Sequence, residues 1–275
     1  MSAIIELRNV NKTFPATRNS PPMVALDGLS FVIQQKKFSP EKTCGDFVVL
    51  LGPSGCGKST ILSLIAGMQP PESGEILVFG QKVTGPHRWS ATVPQSYTCF
   101  PWLTALQNVE FGLRLQQESN GQATSIAREY LRKVELEDRA HAYPRELSGG
   151  MQQRIAIART LALKRPIVLM DEPFGALDAQ TREDMQQMLL ELWEAEKSTI
   201  VFVTHDINEA LLLGDRIIVF SPRPARIICD MEVQLPFKRP PELAHTPEFV
   251  KCAEELRHLL RKPHIDSRQT LPANG

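Results

Sequence analysis

The sequence has no excess of charge of either sign, because 31 Lys and Arg residues balance 31 Asp and Glu residues over 275 positions. Proteins that bind nucleic acid through its phosphates usually present a basic field, and this chain has none overall. Nucleic acid is therefore a poor first candidate for a partner. With 42% hydrophobic residues, the chain can build the core of one large or two modest domains, so we expect a globular protein.

The sequence also lacks the features of exported and membrane-spanning chains. Its five cysteines are scattered without a C-x-x-C pair, which argues against a metal site and a disulfide framework and favours a reducing cytosol. The N-terminus has no cationic segment leading into a long apolar run, and no stretch of about 18 consecutive apolar residues occurs. We therefore expect that the chain does not itself span a membrane. The cysteines are Cys44, Cys56, Cys99, Cys229 and Cys252.

One glycine-rich stretch satisfies the phosphate-loop pattern G-x-x-x-x-G-K-[ST]. Residues 52–60 read Gly-Pro-Ser-Gly-Cys-Gly-Lys-Ser-Thr. Residues 46–51 before it are apolar enough for a buried strand, and apolar residues at helical spacing follow it over 61–65. The pattern therefore stands at a strand-to-helix turn, which is the context that a phosphate loop requires.

The residue types in this stretch suit a nucleoside triphosphate. Glycines let backbone N–H groups turn inward around a phosphate chain, and the following helix presents its positive N-terminal end. Lys58 adds a charge, and the hydroxyl of Ser59 can ligate magnesium. A glycine-rich turn that binds nothing is the alternative, and the joint presence of strand, loop, Lys-Ser pair and helix argues against it.

Other reactive side chains follow apolar runs in the same way. Asp171 and Glu172 come after the run over 167–170, and His205 comes after the run over 199–203. Because the ligand crevice of an open α/β sheet lies at the carboxyl ends of its strands, these groups and the phosphate loop point to one site. Asp171 suits the magnesium of a bound nucleotide, and Glu172 suits a water molecule that must be oriented or deprotonated.

Each of these side chains has a plainer alternative. An acidic pair at a strand end is often only a turn, and a lone histidine is more often structural than functional. Its place at the predicted site makes His205 a candidate sensor of the γ-phosphate. Gln95 follows a short strand predicted over 91–93, so its amide could reach a metal or a water, although a glutamine alone indicates little.

Residues 147–154, Leu-Ser-Gly-Gly-Met-Gln-Gln-Arg, form the most specific stretch. Ser148 is predicted to cap a helix with a buried face over 155–162, and Gly149 and Gly150 keep the entrance of that helix bare. Free N–H groups at such an entrance form a second anion-binding surface. A helix cap without any ligand is the alternative interpretation.

Taken together and in this order, the motifs resemble the ATPase subunits of ATP-binding cassette (ABC) transporters over nearly the whole chain. Unrelated phosphate-loop proteins lack the Leu-Ser-Gly-Gly signature. The resemblance implies that Asp171 is the Walker B aspartate, Glu172 the catalytic base and His205 the switch histidine. It also implies that Gln95 is the Q-loop glutamine and Asp178 the D-loop residue.

The same resemblance implies a set of contacts to ATP and Mg²⁺. Ser59, Gln95 and Asp171 would contact the metal. Phe14 falls where the family places an aromatic ring, usually tyrosine, that stacks on adenine, and simple core packing is the alternative for it. The implied nucleotide-binding residues are Phe14, Gly52, Pro53, Ser54, Gly55, Cys56, Gly57, Lys58, Ser59, Thr60, Ser148, Gly149, Gly150 and Asp178.

A narrower resemblance links the chain to bacterial importers of nitrate, sulfonates, taurine and related small anions. It rests on four segments, which are Thr84-Gly85-Pro86, residues 100–104 (Phe-Pro-Trp-Leu-Thr), residues 170–178 and Ser221-Pro222-Arg223-Pro224. The chain departs from the family over residues 36–44, where extra residues precede Gly45. That departure bears on local strand pairing and not on the chemistry.

The expected fold class is α/β, with a P-loop NTPase core around a mainly parallel sheet, an N-terminal antiparallel β subdomain and an inserted helical subdomain. Short apolar stretches separated by prolines predict antiparallel strands over 4–10 and 24–33. Helical periodicity predicts the insert over about 96–163, with a break at Asn120-Gly121. We predict an ABC ATPase domain over 1–236, a proline-rich segment with one amphipathic helix over 237–262, and a disordered tail over 263–275.

The function implied by the resemblance is ATP-driven import of a small anion. Each ATP would lie between the phosphate loop of one chain and the signature of a second, and we expect a homodimer. The implied setting is the cytoplasmic face of the bacterial inner membrane, with separate permease subunits and a periplasmic or lipid-anchored solute-binding protein, but no nucleic acid. The aromatic residues Tyr97, Phe100 and Trp102 after Gln95 would contact the membrane partner.

Two alternatives stay open at this stage. An ABC exporter ATPase would be distinguished from an importer ATPase only by the four segments that carry the narrower resemblance. A non-transport ABC ATPase acting on nucleic acid would carry long coiled coils, basic arms or two cassettes in one chain, and the sequence shows none of them.

Overall fold

Two β-sheets and seven α-helices make up the described part of the chain. The computed structural model describes residues 3–16, 21–34, 45–96, 99–196, 198–236 and 238–261. The extra residues 36–44, Tyr97 and the predicted tail over 263–275 lie outside those ranges. Within them, no helix combines the length and the apolar character that a bilayer crossing requires.

The strands and helices are numbered in chain order. The strands are β1 (Ala3–Phe14), β2 (Met23–Gln34), β3 (Phe47–Leu51), β4 (Ser73–Val78), β5 (Gln81–Lys82), β6 (Ser90–Val93), β7 (Ile167–Asp171), β8 (Thr199–Thr204), β9 (Arg216–Phe220) and β10 (Ile227–Glu232). The helices are α1 (Lys58–Ile65), α2 (Ala105–Leu115), α3 (Asn120–Lys133), α4 (Gly149–Leu161), α5 (Ala179–Ala195), α6 (Ile207–Leu213) and α7 (Pro247–Arg261). Short 3-10 helices cover Glu137–Arg139, Pro144–Glu146 and Pro241–His245.

The smaller sheet is antiparallel and has the order β2-β1-β4-β5. Along β2, Leu29, Phe31 and Ile33 are buried and alternate with less buried residues, as expected for a strand with one covered face. Ile5 of β1 lies opposite Ile33 on one side and Val78 of β4 on the other. The predicted antiparallel pairing of the N-terminal strands is confirmed.

The larger sheet has the order β10-β9-β3-β8-β7-β6, and only β10 runs antiparallel to its neighbour. Every residue of β3 and β8 is buried, which is typical of central parallel strands covered on both faces. The sheet separates two apolar cores. Phe47, Val49 and Leu51 of β3 join the core formed with the helices, whereas Val48 and Leu50 join the core shared with the smaller sheet.

Three helices, α2, α3 and α4, lie between β6 and β7, so the predicted inserted helical subdomain is confirmed as part of the fold. The predicted break between two helices is present at residues 116–119, but its predicted position is wrong, because Asn120 and Gly121 lie in the first turn of α3. Ser119 caps this helix by accepting from the backbone N–H of Gln122 at 3.4 Å. A serine cap before the Asn-Gly pair thus starts the second helix just ahead of the pair that was expected to separate the two.

The last helix, α7, packs on the core through Phe249, Ala253 and Leu256, which are buried and belong to the core formed with the helices. It contacts α6, the helix that follows β8. The division of the chain into a domain over 1–236 and a separate segment over 237–262 stays a prediction.

We predict that Phe249→Ala destabilises the whole chain by about 3–5 kcal/mol, because it removes a ring that is only 2% exposed from a shared core. Urea unfolding followed by tryptophan fluorescence measures this. The neighbouring Val250→Ala is the control, since Val250 is 43% exposed and should change little. Equal, small effects of the two substitutions would show that α7 contributes little to stability.

Candidate active site

The loop between β3 and α1 is shaped by its glycines. Gly55 and Gly57 have φ angles of +73° and +122°, which residues with a side chain rarely adopt. A Cβ atom on Gly57 would also come within 3.0 Å of the carbonyl oxygen of Ala25 on β2. The loop conformation and the close approach of β2 therefore both require glycine at this position.

Lys58 begins α1, and its side chain is buried inside the loop. Its Nζ atom donates to the carbonyl oxygens of Gly52 at 2.7 Å and Pro53 at 2.9 Å. The same atom lies 3.8 Å from Oε1 of Glu172. The ammonium is thus held inside the loop, between backbone carbonyls and a carboxylate.

Ser59 and Asp171 join α1 to the end of β7. The Oγ atom of Ser59 donates to Oδ1 of Asp171 at 2.9 Å. Burial raises the pKa of Asp171, the nearby Glu172 adds to this, and the hydrogen bond from Ser59 opposes it. A hydroxyl and a carboxylate are the hard oxygen ligands that Mg²⁺ prefers, so this pair fits a magnesium ion.

Glu172 lies one residue beyond β7 in the left-handed region, with φ of +41°. Its backbone N–H donates to the carbonyl oxygen of Val203 at 3.0 Å, which anchors it to β8. Its Oε2 atom lies 3.1 Å from Nδ1 of His205. The Glu172 side chain is only 13% exposed while His205 is 51% exposed, so the pair links the interior of the site to its surface.

The backbone on both sides of His205 is fixed by the buried hydroxyl of Thr204. Its Oγ1 atom donates to Oε2 of Glu209 at 2.6 Å and accepts from the N–H of Asp206 at 2.9 Å. The side chain of Asp206 caps α6 by accepting from the N–H groups of Asn208 and Glu209. His205 therefore projects from a backbone that is held before and after it.

Glu209 extends this network to α5. Its Oε1 atom accepts from Nε2 of Gln186 at 3.2 Å and lies 3.9 Å from Nε of Arg182. Nη2 of Arg182 donates to the carbonyl oxygen of Leu177 at 2.9 Å. Burial raises the pKa of Glu209, and hydrogen bonding to Thr204 opposes the rise. The network thus connects the His205 loop with the loop that leads to α5.

Sequence reasoning missed five residues of this network, namely Arg182, Gln186, Thr204, Asp206 and Glu209. One signal was available, because Glu209 precedes the apolar residues 210–213 in a short helix, and a carboxylate at the edge of an apolar run often has a buried partner. Arg182 and Thr204 offered no comparable signal.

The signature segment (residues 148–150) lies beside the start of α5. Ser148 caps α4, as predicted, by accepting from the N–H of Met151 at 3.3 Å. A Cβ atom on Gly150 would come within 2.8 Å of the Cγ2 atom of Thr181. Thr181 is itself held by Asp178, which accepts from its N–H at 3.0 Å and its hydroxyl at 2.8 Å. These hydrogen bonds lower the pKa of Asp178.

The structure brings five predicted site residues into one group, and these are Lys58, Ser59, Asp171, Glu172 and His205. Ser148 and Asp178 form a second, exposed group at the starts of α4 and α5.

The last two predicted site residues lie near strand ends. Gln95 is exposed two residues beyond β6, which pairs with β7. Phe14 is the last residue of β1 and is half-buried against the core shared with the smaller sheet. Nζ of Lys12 lies 5.8 Å from the centroid of its ring. Its stacking on adenine stays a prediction.

The phosphate loop, the paired carboxylates and the sheet order define a phosphate-loop nucleoside triphosphatase of the α/β class. Residues 36–175 match the ABC transporter family. The chain belongs to this family and is one of its ATP-binding ATPases.

Two curated relatives cover most of the chain. The nitrate import ATP-binding protein NrtD of Synechocystis sp. is 44% identical over 273 residues, which span 97% of this chain and 98% of the relative. The aliphatic sulfonates import ATP-binding protein SsuB of Bacillus cereus is 43% identical over 208 residues, which span 76% of this chain and 81% of the relative. The predicted resemblance to this group of import proteins is confirmed.

A solved structure has the same fold. It is the dimeric structure of a post-hydrolysis state of the ATP-binding cassette MJ0796 bound to ADP and Pi. It aligns with a TM-score of 0.70 at 34% identity and covers 84% of this chain and 99% of that chain. The predicted fold class is confirmed.

We predict that Thr204→Val destabilises the protein by about 1–3 kcal/mol, because it leaves the buried partners of the hydroxyl unpaired without changing the side-chain shape. It should also lower the ATPase rate, since the backbone of His205 loses its restraint. Urea unfolding and phosphate release measure the two effects. Thr84→Val is the control, because Thr84 is exposed, and an equal response of both variants would contradict the proposed restraint.

Proposed function

We propose that this chain is the ATP-hydrolysing subunit of an ABC importer for a small anion. Two copies close over ATP and drive separate membrane subunits. The observation that carries the proposal is the convergence of Lys58, the Ser59–Asp171 pair and the Glu172–His205 pair at one edge of the larger sheet. This arrangement combines an anion cradle, oxygen ligands for a cation and a proton acceptor.

ATP binds with its phosphates in the loop of residues 52–57. The loop N–H groups and the N-terminus of α1 offer hydrogen bonds and positive potential. Lys58 exchanges its contacts with the carbonyls of Gly52 and Pro53 for the phosphate oxygens, which carry full negative charge. Phe14 supplies the adenine platform in this proposal.

Ser59 and Asp171 would hold Mg²⁺, with Gln95 as a further ligand. When bound, this ion neutralises charge on the phosphate oxygens during transfer.

Glu172 takes the proton from the attacking water. Its carboxylate is largely buried, and its backbone is anchored to β8, so it is held at a fixed place beside the phosphate loop. His205 contacts Glu172 and is exposed enough to reach the γ-phosphate of the bound nucleotide. The hydrogen bonds of Thr204 and Asp206 fix the backbone of His205. His205 therefore responds to the γ-phosphate by moving its side chain.

The second half of each site comes from a partner copy. Ser148 is exposed, and the N–H groups at the start of α4 form an anion surface separate from the phosphate loop. A γ-phosphate bound by both surfaces stabilises only the closed pair, and its loss on hydrolysis removes that bridge. The dimeric solved relative supports a pair of chains.

The membrane subunits dock on the aromatic patch after Gln95. Trp102 is 69% exposed, and its ring centroid lies 5.6 Å from that of Phe100, which in turn lies 4.7 Å from that of Phe111. Asn108 anchors the patch by bonding both the N–H and the carbonyl of Phe100. Exposed aromatics on an anchored segment are typical of interface cores.

The names of the relatives support a proposal for the solute class. Their names assign import of nitrate and of aliphatic sulfonates, so we infer a small oxyanion as the solute. We further propose that the chain acts at the cytoplasmic face of the membrane, with a solute-binding protein on the other side. An exporter or a nucleic-acid ATPase is less favoured, because neither relative carries such a name and the chain has no net charge.

We predict that Glu172→Gln abolishes ATP hydrolysis while leaving ATP affinity within about twofold, because the amide keeps the size of the side chain but cannot accept the proton. The variant should accumulate as an ATP-bound dimer. Phosphate release, nucleotide binding and size-exclusion chromatography with multi-angle light scattering measure these effects. Glu183→Gln, an exposed change on α5, is the control.

Hydrolysis near the wild-type rate in Glu172→Gln would remove Glu172 from the role of base. A strictly monomeric variant at saturating ATP would contradict closure by a second chain.

A further inference from the structure

The segment Ser221-Pro222-Arg223-Pro224 follows β9 and has no part in the mechanism proposed above. It forms a tight turn around the hydroxyl of Ser221. The Oγ atom lies 2.8 Å and 3.0 Å from the carbonyl oxygens of Pro222 and Pro224, and it accepts from the N–H of Arg226 at 3.1 Å. Two prolines with fixed φ angles further restrict the turn.

The turn is fastened to the strand beside the phosphate loop. The N–H of Ala225 donates to the carbonyl oxygen of Ala25 on β2 at 3.0 Å. A Cβ atom on Gly57 of the phosphate loop would lie 3.0 Å from this same carbonyl oxygen. It would also lie 3.5 Å from the Cβ atom of Ala225. The turn and the phosphate loop are therefore in direct contact.

Arg223 crosses from this turn onto the phosphate loop. Its Nε atom donates to the carbonyl oxygen of Gly55 at 2.5 Å. A Cβ atom on Gly55 would lie 2.6 Å from Nη2 of Arg223, so the guanidinium packs directly against this glycine. Nη1 contacts the sulfur of Met23, which pairs with Phe14 in the smaller sheet.

The peptide unit between Gly55 and Cys56 connects Arg223 with Lys58 through hydrogen bonds. The carbonyl of Gly55 and the N–H of Cys56 belong to one trans peptide, so they point in opposite directions. While Arg223 holds the carbonyl, the N–H of Cys56 donates to the carbonyl oxygen of Pro53 at 3.3 Å. That same oxygen accepts from Nζ of Lys58 at 2.9 Å. A continuous chain of hydrogen bonds thus runs from Arg223 through the loop to Lys58.

We propose that Arg223 is a positioning residue of the ATP site, which holds the Gly55–Cys56 peptide so that the phosphate loop keeps its phosphate-binding conformation. The inference rests on ATP binding at residues 52–60, as in the proposed function. It assigns a role to the Ser-Pro-Arg-Pro segment, namely to place one guanidinium against the loop. Hydrogen bonds from charged donors are strong enough for one such contact to affect nucleotide affinity.

The test compares Arg223→Gln, Arg223→Lys and Arg226→Gln. Arg226 lies on the same turn and pairs through Nη2 with Asp27 at 2.8 Å, so its loss removes an equal charge without touching Gly55. A fluorescent ATP analogue with magnesium gives the dissociation constant. Phosphate release gives KM and kcat, and thermal unfolding reports the fold.

Arg223→Gln should weaken ATP affinity and raise KM by roughly tenfold, with kcat and the melting temperature near those of the wild type. Arg223→Lys should recover part of the affinity, because an ammonium can still donate to the Gly55 carbonyl. Arg226→Gln should bind ATP like the wild type.

Three results would overturn the inference. The first is an Arg223→Gln variant that binds ATP as tightly as the wild type. The second is a loss of ATP affinity in Arg226→Gln equal to that in Arg223→Gln. The third is a loss of affinity in Arg223→Gln that is accompanied by a lower melting temperature and is explained by it. If the wild-type chain bound no ATP, the proposed function would fail first. ATP binding by the wild type and by Arg226→Gln tests the proposed function, whereas the difference between Arg223→Gln and Arg226→Gln tests the role of Arg223.

Discussion

Parallel pairing of four strands is the constraint on which the site depends. Strands β3, β8, β7 and β6 are neighbours, so their carboxyl ends open at one edge of the larger sheet. That edge carries the phosphate loop, His205, the Asp171-Glu172 pair and the segment that leads from β6 to Gln95. A slip of one residue would turn every side chain of a strand to the other face. The packing of two apolar cores against β3 therefore also fixes the geometry of the site.

Charge is concentrated at this edge in a small, largely buried volume. The ammonium of Lys58 is satisfied by loop carbonyls and lies near Glu172, while Asp171 accepts a hydrogen bond from the hydroxyl of Ser59. Buried charges need partners, so phosphate oxygens and a divalent cation fit together as one unit here. On this account, nucleotide and cation bind cooperatively because each supplies the opposite charge that the other requires.

The parts of the site that the sequence predicted are those with local signals. Residues 52–60 and the acidic pair stand directly after apolar runs, so their place at strand ends followed from pattern alone. The contacts of Arg182 with Glu209 and of Arg223 with Gly55 join residues far apart in sequence, and only the folded chain reveals them. The break predicted at Asn120-Gly121 lies slightly earlier, at residues 116–119, because capping by Ser119 starts α3 ahead of the turn-like dipeptide.

The central claim is that each complete ATP site contains two chains. It is tested by mixing a Lys58→Ala chain, which has a defective phosphate loop, with a Ser148→Arg chain, which has a defective signature. In a mixed pair, the intact loop of one chain meets the intact signature of the other. The account predicts that each variant alone is inactive and that the mixture hydrolyses ATP. A mixture as inactive as its components, with mixed pairs shown to form, would contradict it.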